Sequence, residues 1–445
     1  MSFTQYSYTR YKEVKMKKVA FYTLGCKVNQ YETEAMSELF KKSGYEICDY
    51  DGFADIYIIN TCTVTGMSDR KSRQIIRRAK KTNPNAFVIV TGCYAQTSPG
   101  EILKIDGVNL VLGTQDRADI VGLYEKHTGA VQQSCVSDIM HTHSFDNLSV
   151  TDYRDRTRAY IKVQEGCNQF CSYCIIPYAR GPIRSRDFDS VISETERLAK
   201  HGFTEITYVG IHIASYGLDK KDKGLADLLI AANAIDGIKR IRLSSIEPMT
   251  LNEEFIDKIK DCDKLCHHFH LSLQSGCDET LRRMNRKYTT AQYYKIVEGL
   301  RRHFPDAAIT TDIMVGFAGE TDAEFDETCR FAEKVSFSGA HIFQYSVREG
   351  TPAAHFPNQV DPAVKEHRSK IISEICEKSK HEFMQRFVGS TAEVLFEQPV
   401  GDGCFEGKTA NYQNVLVKTD EDLSGEYRSV RLVKTKNDSF IGELI

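Results

Sequence analysis

Two kinds of apolar pattern alternate along the chain. The runs 18–25, 55–60, 87–91 and 109–112 are apolar on both faces, which predicts strands buried inside a parallel sheet. Between them, 30–43 and 68–81 carry apolar residues at helical spacing. In the first helix these are Tyr31, Ala35, Met36, Leu39 and Phe40, with Gly44 placed to end it. Such alternation predicts a doubly wound parallel α/β domain over 17–130. From about 116 to 150 the pattern weakens, so 131–152 is expected to be a linker, with His141 and His143 solvated. Residues 1–15 are polar and aperiodic, which predicts a mobile tail or a translation start at Met16 rather than Met1.

A second series follows. Strands are predicted at 159–164, 204–209, 238–243, 268–273, 309–315 and 340–345, with helical stretches between them. Six repeats imply an open (β/α)6 partial barrel over 153–387 rather than a closed eight-stranded one. A long helix at 363–387 leads into alternating strands at 392–396, 412–417 and 430–444. These predict a small antiparallel β-barrel over 388–445.

Charge and cysteine content narrow the function. The 445 residues carry a net charge of −3, so overall charge does not announce a nucleic-acid partner, and any such site must be a local patch. Four basic clusters qualify. They are Arg70 to Lys81 on the second helix, Arg180 with Arg184 and Arg186, Arg282 to Lys287, and Arg428 to Lys436. No signal peptide or bilayer-length apolar run is evident, so a cytoplasmic protein without a membrane partner is expected. There the 14 cysteines read as thiols and metal ligands rather than disulfides.

Six cysteines stand out. Cys167, Cys171 and Cys174 lie within Glu165-Gly166-Cys167-Asn168-Gln169-Phe170-Cys171-Ser172-Tyr173-Cys174, directly after a predicted strand. Three thiolates this close can grip one iron–sulfur cluster and leave an iron free to bind a small molecule, whereas electron carriers normally use four. A zinc site or a disulfide cluster is the alternative. Cys26, Cys62 and Cys93 each follow a strand of the first domain, at the sheet edge where α/β folds build sites. Gly25 and Gly92 would let the backbone approach a cluster closely. Cys262, Cys266, Cys48, Cys135, Cys277, Cys329, Cys376 and Cys404 read as plain thiols. His267, His268 and His270 alternate along a strand and cannot all face one metal. The barrel strand ends also collect His212, Ser245, Glu247, Gln274, Ser275 and Asp312, either as ligand contacts or as turn chemistry.

The CxxxCxxC spacing, with Tyr173 before the last cysteine, resembles the radical S-adenosylmethionine (SAM) superfamily. Gly407-Lys408-Thr409-Ala410-Asn411-Tyr412 resembles RNA-binding TRAM domains. The whole order resembles the methylthiotransferases. Within them, Thr23 to Gln30, Asn60 to Thr65 and Gln164 to Asn168 resemble the subgroup acting on N6-threonylcarbamoyladenosine beside the tRNA anticodon. The resemblance implies a transferase with two 4Fe-4S clusters, on Cys167, Cys171 and Cys174 and on Cys26, Cys62 and Cys93. The first would bind and cleave SAM to yield a 5′-deoxyadenosyl radical. The second would carry a sulfur methylated by a second SAM, and a methylthio group would replace hydrogen at adenine carbon 2. Ser245, Glu247, Gln274, Ser275 and Asp312 become candidate SAM contacts. The implied partners are tRNA, a one-electron reductant and a sulfur donor, for a monomer. Alternative substrates are isopentenyladenosine tRNA or a ribosomal protein. A non-catalytic RNA-binding protein with structural metal is the reading from another class.

Overall fold

The computed structural model describes residues 16–127, 132–151 and 157–445; the proposed tail or alternative start before Met16 and the boundary at 152–153 lie outside them. The first sheet holds strands β1 (Lys18–Thr23), β2 (Glu46–Cys48), β3 (Ile56–Thr61), β4 (Phe87–Gly92), β5 (Leu110–Leu112) and β6 (Gln133–Cys135). Its order is β2-β1-β3-β4-β5-β6, parallel throughout, so the topological switch point falls between β1 and β3. Every residue of β3 is buried, as expected for a central strand covered on both faces. The helix Gly66–Thr82 begins where the Thr65 side chain accepts from the Ser68 amide, and it buries Ile75, Ile76 and Ala79. Two strands depart from the sequence reading. β2 has no counterpart in it, and β6 joins the sheet from within the stretch expected to be linker.

Six parallel strands build the second body: β7 (Arg158–Glu165), then β9 (Glu205–Gly210), β10 (Arg240–Leu243), β11 (His268–His270), β12 (Ala308–Val315) and β13 (Gly339–Gln344). Between β7 and β9 in sequence, the two-residue β8 (Arg184–Ser185) pairs antiparallel with β7. Isolated parallel bridges, Ile241 to Leu265 and Ile246 to Leu271, join the β10 and β11 halves. β7 and β13 do not pair, so the barrel is open there, and the helix Lys27–Lys42 of the first body packs against β7. Reciprocal capping boxes, Thr289 with Gln292 and Thr321 with Glu324, start two of the outer helices.

After the helix Pro362–Gln385, five strands close into a barrel: β14 (Thr391–Pro399), β15 (Cys404–Thr409), β16 (Asn414–Lys418), β17 (Tyr427–Lys436) and β18 (Ser439–Leu444). The final segment is therefore two strands, and β15 fills a gap in the expected pattern. The barrel is not wholly antiparallel, because β16 and β18 pair parallel. No helix among the described residues is long and apolar enough to cross a membrane.

Candidate active site

Cys26, Cys62 and Cys93 emerge from the carboxyl ends of β1, β3 and β4, two of them flanking the switch point. Glycine is required at two approaches. Gly25 (φ 101°) lies so near Cys62 that a methyl group there would sit 2.9 Å from Cys62 Cβ. At Gly92 (φ 97°) a methyl would sit 2.4 Å from the Thr61 carbonyl oxygen. Desolvation of the sulfur raises the pKa of all three thiols, although Cys26, unlike Cys62 and Cys93, lies at the surface. A neighbour in the trio raises each further, Cys62 acting on Cys26, Cys93 on Cys62 and Cys26 on Cys93. The Arg180 guanidinium pulls all three back, and its Nε donates to Cys93 Sγ at 3.1 Å.

The second trio sits in the loop after β7. Its backbone is strapped from two sides. The Cys167 amide donates to the Gly181 carbonyl at 3.0 Å, and Ser172 donates through N to Met284 and through Oγ to Arg283. Burial pushes Cys167 up to about 11 and Cys174 up to about 12, each further raised by Cys171. Arg286, buried beneath this loop, donates to Cys171 Sγ at 3.4 Å and to Glu247 at 2.8 Å. Each trio therefore faces one buried guanidinium, which favours thiolate, the form that binds iron. Among the described residues no three His, Cys, Asp or Glu side chains converge tightly enough for a single metal ion. A cluster, whose irons stand apart, asks for wider spacing than one ion does. All 14 cysteines are free thiols.

At the barrel mouth, His212 Nε2 and Ser244 Oγ are buried without hydrogen-bond partners, which fits a polar ligand there. Glu247 stands beside them, 4.0 Å from His212 Nε2. Burial, with Arg286 adding to it, lowers His212 to about 4, so its ring is neutral at physiological pH. Gln274 is buried in a left-handed turn (φ 70°) with its amide on the Asp312 carbonyl. Ser275 is not brought to the mouth, because its Oγ is shared with Thr328 and the Cys277 amide. Ser245 and Asp312 line a cavity of about 580 Å³ instead.

Sequence reasoning missed the joint between the two bodies. Arg180, Arg184 and Arg186, expected as a surface patch for RNA, are buried. Arg180 reaches Glu32 (2.7 Å), Glu165 (3.1 Å) and Asn29 (2.6 Å). Glu32 also pairs with Lys162 (2.8 Å) and Arg117 (2.5 Å), and Arg117 with Asp146 (3.2 Å). Burial alone would raise the Glu32 carboxyl, but Arg117, Arg180 and Lys162 hold it well below the usual range. Four buried cations, counting Arg184, thus face three carboxylates, and Arg184 is the one with no carboxylate at ion-pair distance among the described residues. The Arg282 to Lys287 cluster likewise divides. The Arg286 side chain is covered by its partner Glu247 and neighbours, and Arg283 pairs with Glu324, while Lys287 is exposed. Arg70, Lys71, Arg77, Arg78 and Lys81 on one helix, and Arg428, Arg431, Lys434 and Lys436 on β17, are exposed as expected.

A third cluster surrounds Tyr412, in the turn after β15. Its ring stacks on His268 (centroids 4.9 Å apart) and lies within 5.9 Å of Lys27, Arg158, Arg242 and Lys408. Burial would raise the Tyr412 hydroxyl, yet these four cations outweigh it and hold it below its ordinary value.

The fold is similar to that of solved radical SAM enzymes. The radical S-adenosylmethionine methyltransferase TsrM of Kitasatospora setae, with cobalamin and a [4Fe-4S] cluster bound, superposes with a TM-score of 0.58 at 16% identity, covering 76% of this chain and 77% of that one. This likeness is one of fold. Family models match at residues 161–332 (Radical SAM superfamily) and 18–113 (Uncharacterized protein family UPF0004). The threonylcarbamoyladenosine tRNA methylthiotransferase MtaB of Bacillus subtilis is 44% identical over 94% of each chain. The MtaB of Aquifex aeolicus is 38% identical over 85% of this chain and 92% of its own. The tRNA-2-methylthio-N(6)-dimethylallyladenosine synthase of Alkaliphilus oremlandii is 36% identical over 98% and 94%. The chain belongs to the radical SAM methylthiotransferase family. It is a transferase of the iron–sulfur, SAM-using kind.

Proposed function

We propose that this enzyme places a methylthio group on carbon 2 of N6-threonylcarbamoyladenosine next to the tRNA anticodon. One observation carries the reading. Arg180, six residues after the last cysteine of the CxxxCxxC loop, donates to Cys93 of the other trio at 3.1 Å, so a single buried joint holds both thiol sets in one frame. Two cysteine trios fixed to each other suit a reaction that needs two clusters and one substrate. The donor sets fit 4Fe-4S clusters on Cys167, Cys171 and Cys174 and on Cys26, Cys62 and Cys93. With SAM, these supply the one-electron and sulfur chemistry that replacing an unactivated aromatic C–H bond requires.

The chain's own groups bind, orient and exclude water. Arg180 and Arg286 favour thiolate at each trio. His212, Ser244 and Glu247 are the polar groups poised for SAM at the barrel mouth. Residues 17–130 present one cluster, 153–387 the other, and 388–445 with the basic helix Gly66–Thr82 hold the RNA. A one-electron reductant and a sulfur donor come from outside the chain. The threonylcarbamoyl substrate follows the Bacillus and Aquifex relatives. Nucleoside mass spectrometry of tRNA from cells with and without the gene tests the reading. Loss of the 2-methylthio nucleoside with accumulation of N6-threonylcarbamoyladenosine is expected. Unchanged threonylcarbamoyl nucleosides would overturn the substrate.

A further inference from the structure

The cavity lined by Asp312 lies where the open side of the large barrel meets the C-terminal barrel and the loop carrying Cys26. Its charges are unequally satisfied. Asp438 pairs with Lys380, and Asp312 shares a 3.0 Å hydrogen bond with His270. Just behind it, Arg158 and Arg242 are bound by Glu205 at 2.9 and 2.6 Å. Two cations are left over. Lys27, the residue after Cys26, has only the rings of Tyr160 and Tyr412 about 6 Å from its ammonium group, and no carboxylate within ion-pair distance among the described residues. Lys408 meets the Asn414 side-chain oxygen and the Tyr412 ring, and likewise no carboxylate. Both line the cavity. Desolvated ammonium groups without counter-charge are costly, and an incoming anion would remove that cost.

Resting on the substrate reading above, we infer that Lys27 and Lys408 form the subsite for the carboxylate of the substrate's N6 substituent. The chemistry of the base places it there. Carbon 2 and carbon 6, which bears the N6 nitrogen, flank the same ring nitrogen, so an N6 substituent turned toward that nitrogen lies beside the reacting carbon. Lys27 is covalently next to Cys26, at the trio expected to deliver sulfur. The threonylcarbamoyl group ends in a carboxylate and a hydroxyl. The neutral imidazole of His268, kept uncharged chiefly by burial and then by Arg242, together with Ser245, offers hydrogen-bonding groups for the hydroxyl. An isopentenyl group, apolar throughout, would leave both half-buried ammonium groups without a counter-charge. The pair therefore selects for the acidic substituent and against the hydrocarbon one.

The test uses the cluster-loaded full chain and two anticodon stem–loop RNAs, one with N6-threonylcarbamoyladenosine and one with plain adenosine at that position. Wild type should bind the modified RNA about tenfold more tightly. In Lys408→Met that ratio should collapse towards one, while affinity for the plain RNA changes by less than about twofold. Lys408→Arg, which keeps the charge, should retain the ratio. The methyl ester of the threonyl carboxylate should bind wild type no better than plain adenosine. Equal weakening of both RNAs in Lys408→Met would make Lys408 a backbone contact and overturn the inference. Were wild type itself indifferent to the threonylcarbamoyl group, the substrate reading would fall first. Lys27→Met repeats the comparison, with its iron content required to equal wild type.

Discussion

Arg180 Nε lies 3.1 Å from Cys93 Sγ, although the two residues come from different bodies of the molecule, 87 positions apart. The same guanidinium neutralises Glu32 and Glu165, which no water reaches. Removing it leaves two buried carboxylates short of a partner, and breaking a buried pair typically costs about 3–5 kcal/mol. Arg180→Met should therefore lower the denaturation midpoint of the apoprotein, with the first sheet unfolding as a separate, earlier transition. Arg180→Lys should recover part of the loss. A single transition at the wild-type midpoint would show that the joint does not couple the two bodies.

Acid should loosen the molecule in two stages. His212 sits near 4 against an ordinary value of 6.5, so the unfolded chain takes up a proton that the folded one refuses. Stability contributed by the neutral ring is full above 6.5 and falls as pH drops towards 4, by on the order of 3 kcal/mol. Glu32 is depressed below 4.5, so its contribution is present above that value and fades only at lower pH. Denaturation midpoints measured between pH 4 and 7 should slope for wild type and slope less for His212→Gln. Parallel slopes would refute the assignment to His212.

What the sequence showed and hid follows from range. Buried strands such as Ile56–Thr61 announce themselves by composition, and locating their ends located Cys26, Cys62 and Cys93. The three-residue strands β2 and β6 were illegible, because three partly exposed residues show no period. Nor could local pattern reveal the parallel pairing of β16 with β18, which depends on how the barrel closes. Arg180 was legible as a cation but not as a buried one, since its partner Glu32 is 148 positions away. A signal did exist. Glu32 interrupts the apolar face that carries Tyr31, Ala35 and Met36, and Lys162 sits between Ile161 and Val163 in a buried strand. A charge on a buried stripe demands an opposite charge somewhere.

The exposed cations should behave differently from the buried ones. Each phosphate that a side chain neutralises adds roughly 0.7 to 0.9 to the slope of log affinity against log salt. Arg77→Ala and Arg431→Ala should each weaken binding of full-length tRNA and flatten its salt dependence by about that amount. Unaltered salt slopes in both would remove this helix and β17 from the RNA interface.

The cysteine trios should be separable in iron content yet not in product formation. Each trio has its own guanidinium and its own backbone support, so emptying one need not collapse the other. Replacing Cys26, Cys62 and Cys93 by Ala should remove about half the iron, since each site holds one of two like clusters. Reductive SAM cleavage should persist in that variant, because the barrel mouth with Arg286, Glu247 and His212 is untouched. Replacing Cys167, Cys171 and Cys174 should also remove about half the iron, but abolish SAM cleavage. Neither variant should form the 2-methylthio nucleoside. If the first variant lost SAM cleavage while its remaining cluster stayed fully loaded, the two sites would not divide the work as their positions imply. The Arg180 joint would then have to carry function as well as alignment, and Arg180→Lys would be the variant to assay for SAM cleavage.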